Sequence, residues 1–293
     1  MLLCLNPVYL PSKAMSVDCG HCRACRLKRT NEWSLRLKHQ GSTINHNVLI
    51  VTLTYDSNHV PYGYTLRPDH LQDFHKRLRI NIDRGYYVTL EGKRVYHNLP
   101  KIKYKYYASG EYGERYGRPH YHLAIFGLDM RYKRIIWESW RMCDYNYGYD
   151  CELIRDPDKG YRYVAGYCRK KLGKGYSREY AKRCKRHPEF GRQSQGLGYA
   201  WLLDYVAKNP FAHTLRDNGA EILLPRYYRK KLKMPYTYIE DYINEKLENY
   251  HHKICGFKNL GKSYQDIDRE IREKIDKYLR DAQEKFKSRE RAL

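Results

Sequence analysis

Residues 47–55 carry the pattern that most constrains the fold. Their sequence, NVLIVTLTY, is an almost unbroken run of apolar and β-branched residues, and the polar triplet Asp56-Ser57-Asn58 follows it. A short continuous apolar run that is bounded by turn-forming residues is typical of a strand buried inside a sheet. A buried strand is therefore expected here, in a sheet to which later segments contribute.

The segments that follow alternate between helical and extended patterns. Apolar residues at helical spacing after Pro68 predict a helix over residues 69–81. Residues 103–109 predict a second strand, and residues 119–127 predict a third strand that pairs back on it as a hairpin, through a turn-bearing connection at 110–117. Further helices are predicted over residues 31–39, 131–142 and 161–172. The order favours an α+β fold, with a mainly antiparallel central sheet and helices packed on one face.

The chain divides into four predicted parts. Residues 1–30 are basic and rich in cysteine, and their prolines, Pro7 and Pro11, argue against regular structure. Residues 31–175 hold the predicted sheet and helices. Residues 176–262 form a basic extension that either follows a DNA backbone or is a solvated surface. In residues 263–293, apolar side chains recur every three or four positions among charged ones, which predicts an amphipathic C-terminal helix that packs on this chain or on another.

The charge balance indicates a polyanionic partner. Lys and Arg number 56 against 33 Asp and Glu, a net charge of +23, and such an excess attracts nucleic acid or an anionic membrane surface. The 32 tyrosines either stack on unpaired bases or fill half-buried strand faces. No apolar run approaches the roughly 18 residues that span a bilayer, and the N-terminus lacks a signal-peptide pattern. We therefore expect a cytosolic protein that binds nucleic acid and no membrane.

His120 and His122 form a candidate metal site. They flank Tyr121 on the predicted third strand, so both imidazoles point to one face of the sheet, because strand side chains alternate. Glu111 lies near the facing arm of the hairpin, where its carboxylate supplies a third, hard oxygen ligand. Two imidazoles and one carboxylate leave positions open for a phosphate oxygen, as catalytic metal sites require. A His-x-His motif alone is common, and the nearby carboxylate is what favours metal binding.

Tyr163 and Tyr167 are the candidate nucleophiles. In a helix over residues 161–172 they are four residues apart and lie on one face, and Lys170 and Lys171 follow near that face. A phenol with a pKa of about 10 is a poor nucleophile at neutral pH. It needs nearby cations and a metal that polarises its target. From this segment alone, an ordinary amphipathic helix that packs on the sheet is the simpler interpretation.

Cys19, Cys22 and Cys25 form a C-x-x-C-x-x-C motif, for which Cys4 or His21 would be a fourth ligand. This set fits a small structural Zn²⁺ site that orders the basic N-terminal segment. Free thiols, which are normal in a reducing cytosol, are the alternative. They are favoured by the close spacing of the three cysteines and by the lack of a second C-x-x-C pair.

Together these motifs resemble the HUH endonuclease superfamily, and within it the replication initiator proteins of gokushovirus-type Microviridae. The resemblance covers residues 1–175 and rests on the order and spacing of four motifs. They are the cysteine-rich start CGHCRACR, the strand VTLTY, the pair GEYG and RPHYH, and the Tyr163-x-x-x-Tyr167 helix that two lysines follow.

The resemblance implies rolling-circle replication by an HUH nuclease domain of RRM-like fold at residues 31–175. It makes His120 and His122 ligands of a Mg²⁺ or Mn²⁺ ion, with Glu111 as the third ligand. Tyr163 and Tyr167 become alternating nucleophiles that cut single-stranded viral origin DNA, form a 5′-phosphotyrosyl intermediate and allow the ends to be rejoined.

The resemblance also implies partners and one departure. The protein would work in the cytoplasm of a bacterial host with a host polymerase, and with a host helicase, because the chain has no G-x-x-x-x-G-K-[S/T] phosphate loop. Related initiators often carry Lys between the two tyrosines, where this chain has Gly166. The glycine weakens the helix by about 1 kcal/mol relative to Ala and removes a cation, which Lys170 or Lys171 would replace. Whether both tyrosines act stays open.

Two rival functions use the same residues. A transposase or relaxase of the same superfamily shares the metal site, but single-tyrosine transposases need one nucleophile, so the tyrosine pair favours an initiator. A non-catalytic, metal-stabilised nucleic-acid-binding protein would share the charge and the metal ligands. A covalent protein–DNA adduct distinguishes an enzyme from that binding protein.

Overall fold

The computed structural model of the chain describes residues 4–235, apart from 5, 14, 21, 114, 144–148, 168–181, 183 and 184, and beyond them only residues 237, 238, 241, 242, 245, 266, 269 and 273. The chain forms two compact units, of which one is Arg26–Pro210 and the other joins Met1–Cys25 to Phe211–Leu293. Lys170, Lys171 and most of the predicted C-terminal helix lie outside the described residues. The division into four functional parts remains a prediction.

The described helices and strands follow one another along the chain in a mixed order. They are β1 (Val8–Leu10), β2 (Met15–Val17), α1 (Arg23–Ser42), β3 (Val48–Leu53), α2 (Pro68–Arg84), β4 (Tyr86–Val88), β5 (Arg94–Tyr96), β6 (Lys105–Tyr112), β7 (Pro119–Phe126), α3 (Lys133–Trp140), β8 (Tyr149–Leu153), α4 (Pro157–Tyr167), β9 (Phe190–Gln193), α5 (Tyr199–Lys208), β10 (Thr214–Asp217), β11 (Ala220–Leu223) and α6 (Arg226–Lys231).

A five-stranded sheet in the order β8-β3-β7-β6-β9 forms the centre of the larger unit. Every described pair within it is antiparallel. The buried run predicted at residues 47–55 is β3, which has a neighbour on each side, and the predicted hairpin is β6–β7. The α+β fold with a mainly antiparallel central sheet is therefore confirmed.

Helices cover both faces of this sheet, so the expectation of helices on one face is wrong. Leu49, Val51 and Leu53 of β3 pack in one cluster with residues of α2 and α3. Val48 and Ile50 pack in a second cluster with residues of α1 and α4. Because successive strand residues point to opposite faces, the two clusters lie on the two sides of the sheet. The unbroken apolar run of β3 is what a strand buried on both faces requires.

The limits of the hairpin differ from the prediction in a way that matters for the site. The sequence predicts a connection at residues 110–117, but β6 continues to Tyr112. The turn starts at Gly113, whose N–H donates to the carbonyl of Arg118. Gly110 is a strand residue for a packing reason, since a Cβ there would lie 2.9 Å from Cε1 of Phe190 and 3.1 Å from Cδ2 of Leu66.

The predicted helices are present with shifted limits. Helix α2 begins at Pro68, where the missing N–H costs no hydrogen bond, and its C-cap Gly85 adopts a left-handed φ of 75°. The helix predicted at 31–39 is the longer α1, the one predicted at 131–142 is the shorter α3, and the one predicted at 161–172 begins earlier, as α4. Residues 168–172 lie outside the described part.

The second unit contains regular structure where none is predicted. Strands β1 and β2 pair as an antiparallel hairpin, so the argument from Pro7 and Pro11 is wrong. Pro7 directly precedes β1 and Pro11 directly follows it, and at strand ends a missing N–H removes no ladder hydrogen bond. Strands β10 and β11 form a second hairpin. Among the described residues, no helix has the length and apolar character needed to cross a membrane.

Candidate metal centre

Glu111, His120 and His122 meet on the face of hairpin β6–β7 that α4 covers. Glu111 lies directly opposite His120 in the strand register. A single carboxylate oxygen, Oε1 of Glu111, is 3.1 Å from Nε2 of each histidine. The two imidazole planes are almost perpendicular, at 89°, so the two nitrogens approach that oxygen from different directions. The structure thus brings the three predicted ligands together, with one donor atom of each within 4.8 Å of the others.

The second ring nitrogen of each histidine is held by a hydrogen bond. Nδ1 of His120 lies 3.1 Å from the carbonyl oxygen of Arg118, and because a carbonyl only accepts, Nδ1 must donate. Nδ1 of His122 lies 3.1 Å from Oγ1 of Thr52, a hydroxyl that also accepts. With the proton on Nδ1, a neutral imidazole presents the lone pair of Nε2 towards Glu111. Metal-binding histidines are oriented by hydrogen bonds of this kind.

The site is shielded from water, and its charges are paired. The side chains of Glu111 and His122 are 7% and 8% exposed. Burial alone would raise the pKa of Glu111, but hydrogen bonds from the two imidazoles and their charge lower it to about 2. Burial lowers the pKa of His120, but the Glu111 carboxylate outweighs it and raises that pKa above its ordinary value. A buried carboxylate between two imidazoles needs a positive partner, either a proton or a metal ion. Two nitrogens and one hard oxygen therefore fit a divalent cation.

Tyr163 lies beside these three residues. Helix α4 packs on β7, and the centroid of the Tyr163 ring is 6.0 Å from that of His122, at an interplanar angle of 73°. Tyr161 is fully buried and its hydroxyl is 3.0 Å from Nδ1 of His46, so this tyrosine belongs to the core. Tyr167 is the last residue of α4, one turn beyond Tyr163. Its side chain and all of Lys170 lie outside the described part.

Gly166, which replaces the expected lysine, is a buried residue within α4. The helix therefore tolerates the glycine, and the described residues place no cation between the two tyrosines at this position. A cation that serves the nucleophiles has to come from elsewhere.

Three further residues border the site and were not assigned a role from the sequence. Thr52 lies opposite His122 across β3 and β7, and Ser109 lies opposite it across β6 and β7. The Ser109 hydroxyl is buried and has no hydrogen-bond partner among the described residues. Arg118 precedes β7, and its Nε is likewise buried without a partner in the described part. Only the motif RPHYH points to Arg118, whereas Thr52 and Ser109 depend on strand register.

The predicted cysteine ligands also come together, in the second unit. One sulfur atom from each of Cys4, Cys19, Cys22 and Cys25 lies within 4.8 Å of the others. His21, the alternative fourth ligand, lies outside the described residues.

Comparisons with known proteins agree on one group. Residues 48–172 match the family model of the replication-associated protein ORF2, a range that contains the metal ligands and both tyrosines. The chain is 29% identical to replication-associated protein ORF2 of Spiroplasma virus 4, over 80% of this chain and 73% of that protein. It is also 29% identical to replication-associated protein VP4 of Bdellovibrio phage phiMH2K, over 74% and 67% of the two chains.

A third relative is longer. Replication-associated protein ORF4 of Chlamydia phage 1 is 27% identical over 74% of this chain, which spans about half of that protein, 53%. No solved structure matches the chain. These similarities agree with the resemblance to Microviridae initiators in the order of the motifs. Through residues 48–172, the chain belongs to the family of the replication-associated protein ORF2.

Proposed function

We propose that this replication-associated protein is a rolling-circle initiator, which nicks single-stranded origin DNA through a tyrosine nucleophile. The observation that carries the proposal is the placement of Tyr163 beside His122, with ring centroids 6.0 Å apart. A phenol at that position lies next to a buried carboxylate and two imidazoles whose Nε2 atoms converge. A binding module that used its metal only for stability would have no need for a half-buried tyrosine there.

Glu111, His120 and His122 would hold a divalent ion, Mg²⁺ or Mn²⁺. Such an ion polarises the scissile phosphate as a Lewis acid and stabilises charge that develops on its oxygens. The chain itself contributes the orientation of the ligands, because Thr52 and the Arg118 carbonyl fix the Nδ1 side of each imidazole. The near-complete burial of Glu111 keeps the carboxylate out of competition from water.

The chemical step is a transesterification. Oη of Tyr163 forms a bond to phosphorus while the bond from phosphorus to the 3′ oxygen breaks. The phenol proton passes through solvent to the leaving oxygen, which becomes a free 3′-OH, and the 5′ side of the break stays on the protein as a phosphotyrosyl link. In rejoining, a 3′-OH attacks that link and the phenol is restored. Tyr167 is proposed as the second nucleophile of the pair.

Cations around the site would bind the DNA backbone and favour the phenolate. Arg118 lies two residues before His120, and Lys170 follows Tyr167 along the chain. We propose that Arg118 contacts a phosphate that flanks the break and that Lys170 assists the tyrosines. The net charge of +23 draws DNA towards the protein. A host polymerase would extend the free 3′-OH, and a host helicase would open the duplex.

Cleavage of a labelled single-stranded viral origin fragment with Mn²⁺ tests the proposal. The wild-type chain is expected to cut the fragment, whereas Glu111→Gln is expected to bind it without cutting, because a neutral amide is a poor ligand for a hard cation. Glu91→Gln is the matched control, since Glu91 is exposed and lies in the turn between β4 and β5, and it should cut as the wild type does. Undiminished cutting by Glu111→Gln would contradict the proposal. Binding without cutting by the wild type would favour the non-catalytic protein.

A further inference from the structure

Four cysteines in the smaller unit converge on one point that the nicking reaction does not use. Cys4 precedes β1, Cys19 and Cys22 lie between β2 and the start of α1, and Cys25 lies in the first turn of α1. Cys25 is 5% exposed and the other three are half-buried. We propose that these four cysteines bind one structural Zn²⁺ ion, which fastens the β1–β2 hairpin to the first turn of α1.

The spacing of the sulfur atoms carries the proposal. Sγ of Cys4 is 3.8 Å from Sγ of Cys22, and Sγ of Cys19 is 3.9 Å from Sγ of Cys25. In a tetrahedral site with Zn–S bonds of about 2.3 Å, neighbouring sulfurs are about 3.8 Å apart. A disulfide brings its sulfurs to about 2.05 Å. The two measured separations therefore match the edges of a zinc tetrahedron and exclude disulfides in this arrangement.

Backbone N–H groups point at the same sulfurs. The N–H of Cys19 donates to Sγ of Cys4 at 3.3 Å, and the N–H of Cys22 donates to Sγ of Cys19 at 3.3 Å. The N–H of Cys25 donates to Sγ of Cys22 at 3.5 Å. Hydrogen bonds of this kind stabilise negative charge on sulfur, and the thiolate is the form of cysteine that binds metal. The backbone is thus folded around these sulfurs as ligands.

The small size of the attached structure explains why a metal would be needed. Strands β1 and β2 have three residues each, and an isolated two-stranded hairpin is at best marginally stable in water. A Zn²⁺ ion that links Cys4 to Cys25 would close the whole N-terminal segment into a loop and remove much of its freedom in the unfolded chain. The N-terminal end of α1, which carries Cys25, would be fixed at the same time.

Metal analysis of the full-length wild type, purified under reducing conditions without added metal, is the direct test. About one zinc ion per chain is expected, as for a closed four-cysteine site. Cys4→Ser and Cys22→Ser should each lower that ratio, whereas Cys151→Ala, which changes a buried cysteine of the larger unit, should leave it unchanged. A double variant, Glu111→Gln with His122→Ala, should also keep its zinc, which separates this site from the proposed nicking centre.

A second measurement uses the wild type alone, because a cysteine variant that fails to fold would lose metal for a trivial reason. Chain refolded with Co²⁺ should show the absorption bands of tetrahedral cobalt–thiolate coordination, and added Zn²⁺ should abolish them. Wild type that lacks zinc and shows two disulfides, or four thiols that alkylate freely without releasing metal, would overturn the proposal. Zinc that disappears only in the Glu111→Gln, His122→Ala variant would also overturn it.

Discussion

Oγ1 of Thr52 lies 3.1 Å from Nδ1 of His122, across the β3–β7 pair in which the two residues are directly opposite. Thr52 belongs to the strand that forms the centre of the core, and His122 belongs to the hairpin that carries the candidate metal ligands. The same contact holds the histidine ring in one orientation and directs Nε2 towards Glu111. The most predictable strand of the sequence therefore positions the residue on which the chemistry depends.

Thr52→Val should weaken metal binding without unfolding the chain. The substitution keeps the shape of the side chain but removes the hydrogen bond to Nδ1, and loss of such an outer contact typically costs roughly 10- to 100-fold in metal affinity. Titration with Mn²⁺, followed by calorimetry or electron paramagnetic resonance, measures the change. Thr89→Val is the control, because the Thr89 hydroxyl contacts the backbone of Lys93 in the β4–β5 hairpin. Equal affinity of Thr52→Val and wild type would remove Thr52 from the metal site.

Arg118→Ala should weaken DNA binding and leave metal affinity unchanged. The Arg118 Nε is buried without a hydrogen-bond partner among the described residues, and a guanidinium next to the metal ligands suits a phosphate. Loss of one such contact is expected to reduce affinity by about tenfold and to lower the salt slope by about one. Fluorescence anisotropy with single-stranded DNA over a range of salt concentrations measures both quantities. Arg84→Ala, at the exposed end of α2, should change neither.

Gly41→Ala should destabilise the larger unit and slow nicking. A Cβ at Gly41 in α1 would collide with the Tyr161 hydroxyl and lie 2.6 Å from its Cζ, so α4 would have to move and carry Tyr163 with it. Overpacking of this kind costs typically about 1–3 kcal/mol. Urea unfolding measures the loss. Gly113→Ala, whose new methyl would meet its nearest neighbour at 3.6 Å, should lose much less, and equal stability of the two variants would contradict the tight packing of α4 on α1.

His75 should make the protein less stable in mild acid. Burial, with a smaller effect of Arg79, lowers the pKa of His75 from 6.5 to about 3. The unfolded chain therefore binds the proton first, so the stability contributed by the neutral ring is complete above pH about 6.5 and is lost progressively as the pH falls towards 3. Between pH 7 and pH 5 the loss is about 2 kcal/mol for this residue.

Urea unfolding at the two pH values, for wild type and His75→Gln, isolates that contribution. The glutamine variant has no titrating group at this position, so its free energy of unfolding should fall less between pH 7 and pH 5 than that of the wild type. An identical fall in both proteins would show that His75 does not carry the effect.

The sequence predicts the parts of this structure that depend on local pattern. The apolar run of β3, the helical spacing in α2 and the alternation of β6 and β7 each lie within one segment, and the common orientation of His120 and His122 follows from strand geometry alone. Glu111 is found from its position near the hairpin, although the predicted turn includes it and the strand in fact continues past it. Local pattern thus identifies the ligands but not the whole of the frame that holds them.

The remaining features depend on contacts between distant segments. The Thr52–His122 pair requires the register of β3 against β7, which no local pattern encodes. The two-sided covering of the sheet was overlooked, although the continuous apolar run of β3 is a sign of it. Tyr161 and Tyr163 lie two residues apart in one helix, and only the packing of α4 separates the core tyrosine from the one beside His122.

Covalent capture of DNA tests the proposed nicking chemistry most directly. Wild-type protein incubated with Mn²⁺ and single-stranded viral origin DNA should form an adduct that survives denaturation, and peptide mapping should place the link on Tyr163 or Tyr167. Tyr161→Phe, which changes the core tyrosine of the same helix, should still form the adduct. The double variant Tyr163→Phe, Tyr167→Phe should bind DNA but form none. An undiminished adduct in the double variant, or no adduct in the wild type with any divalent ion, would contradict the tyrosine mechanism.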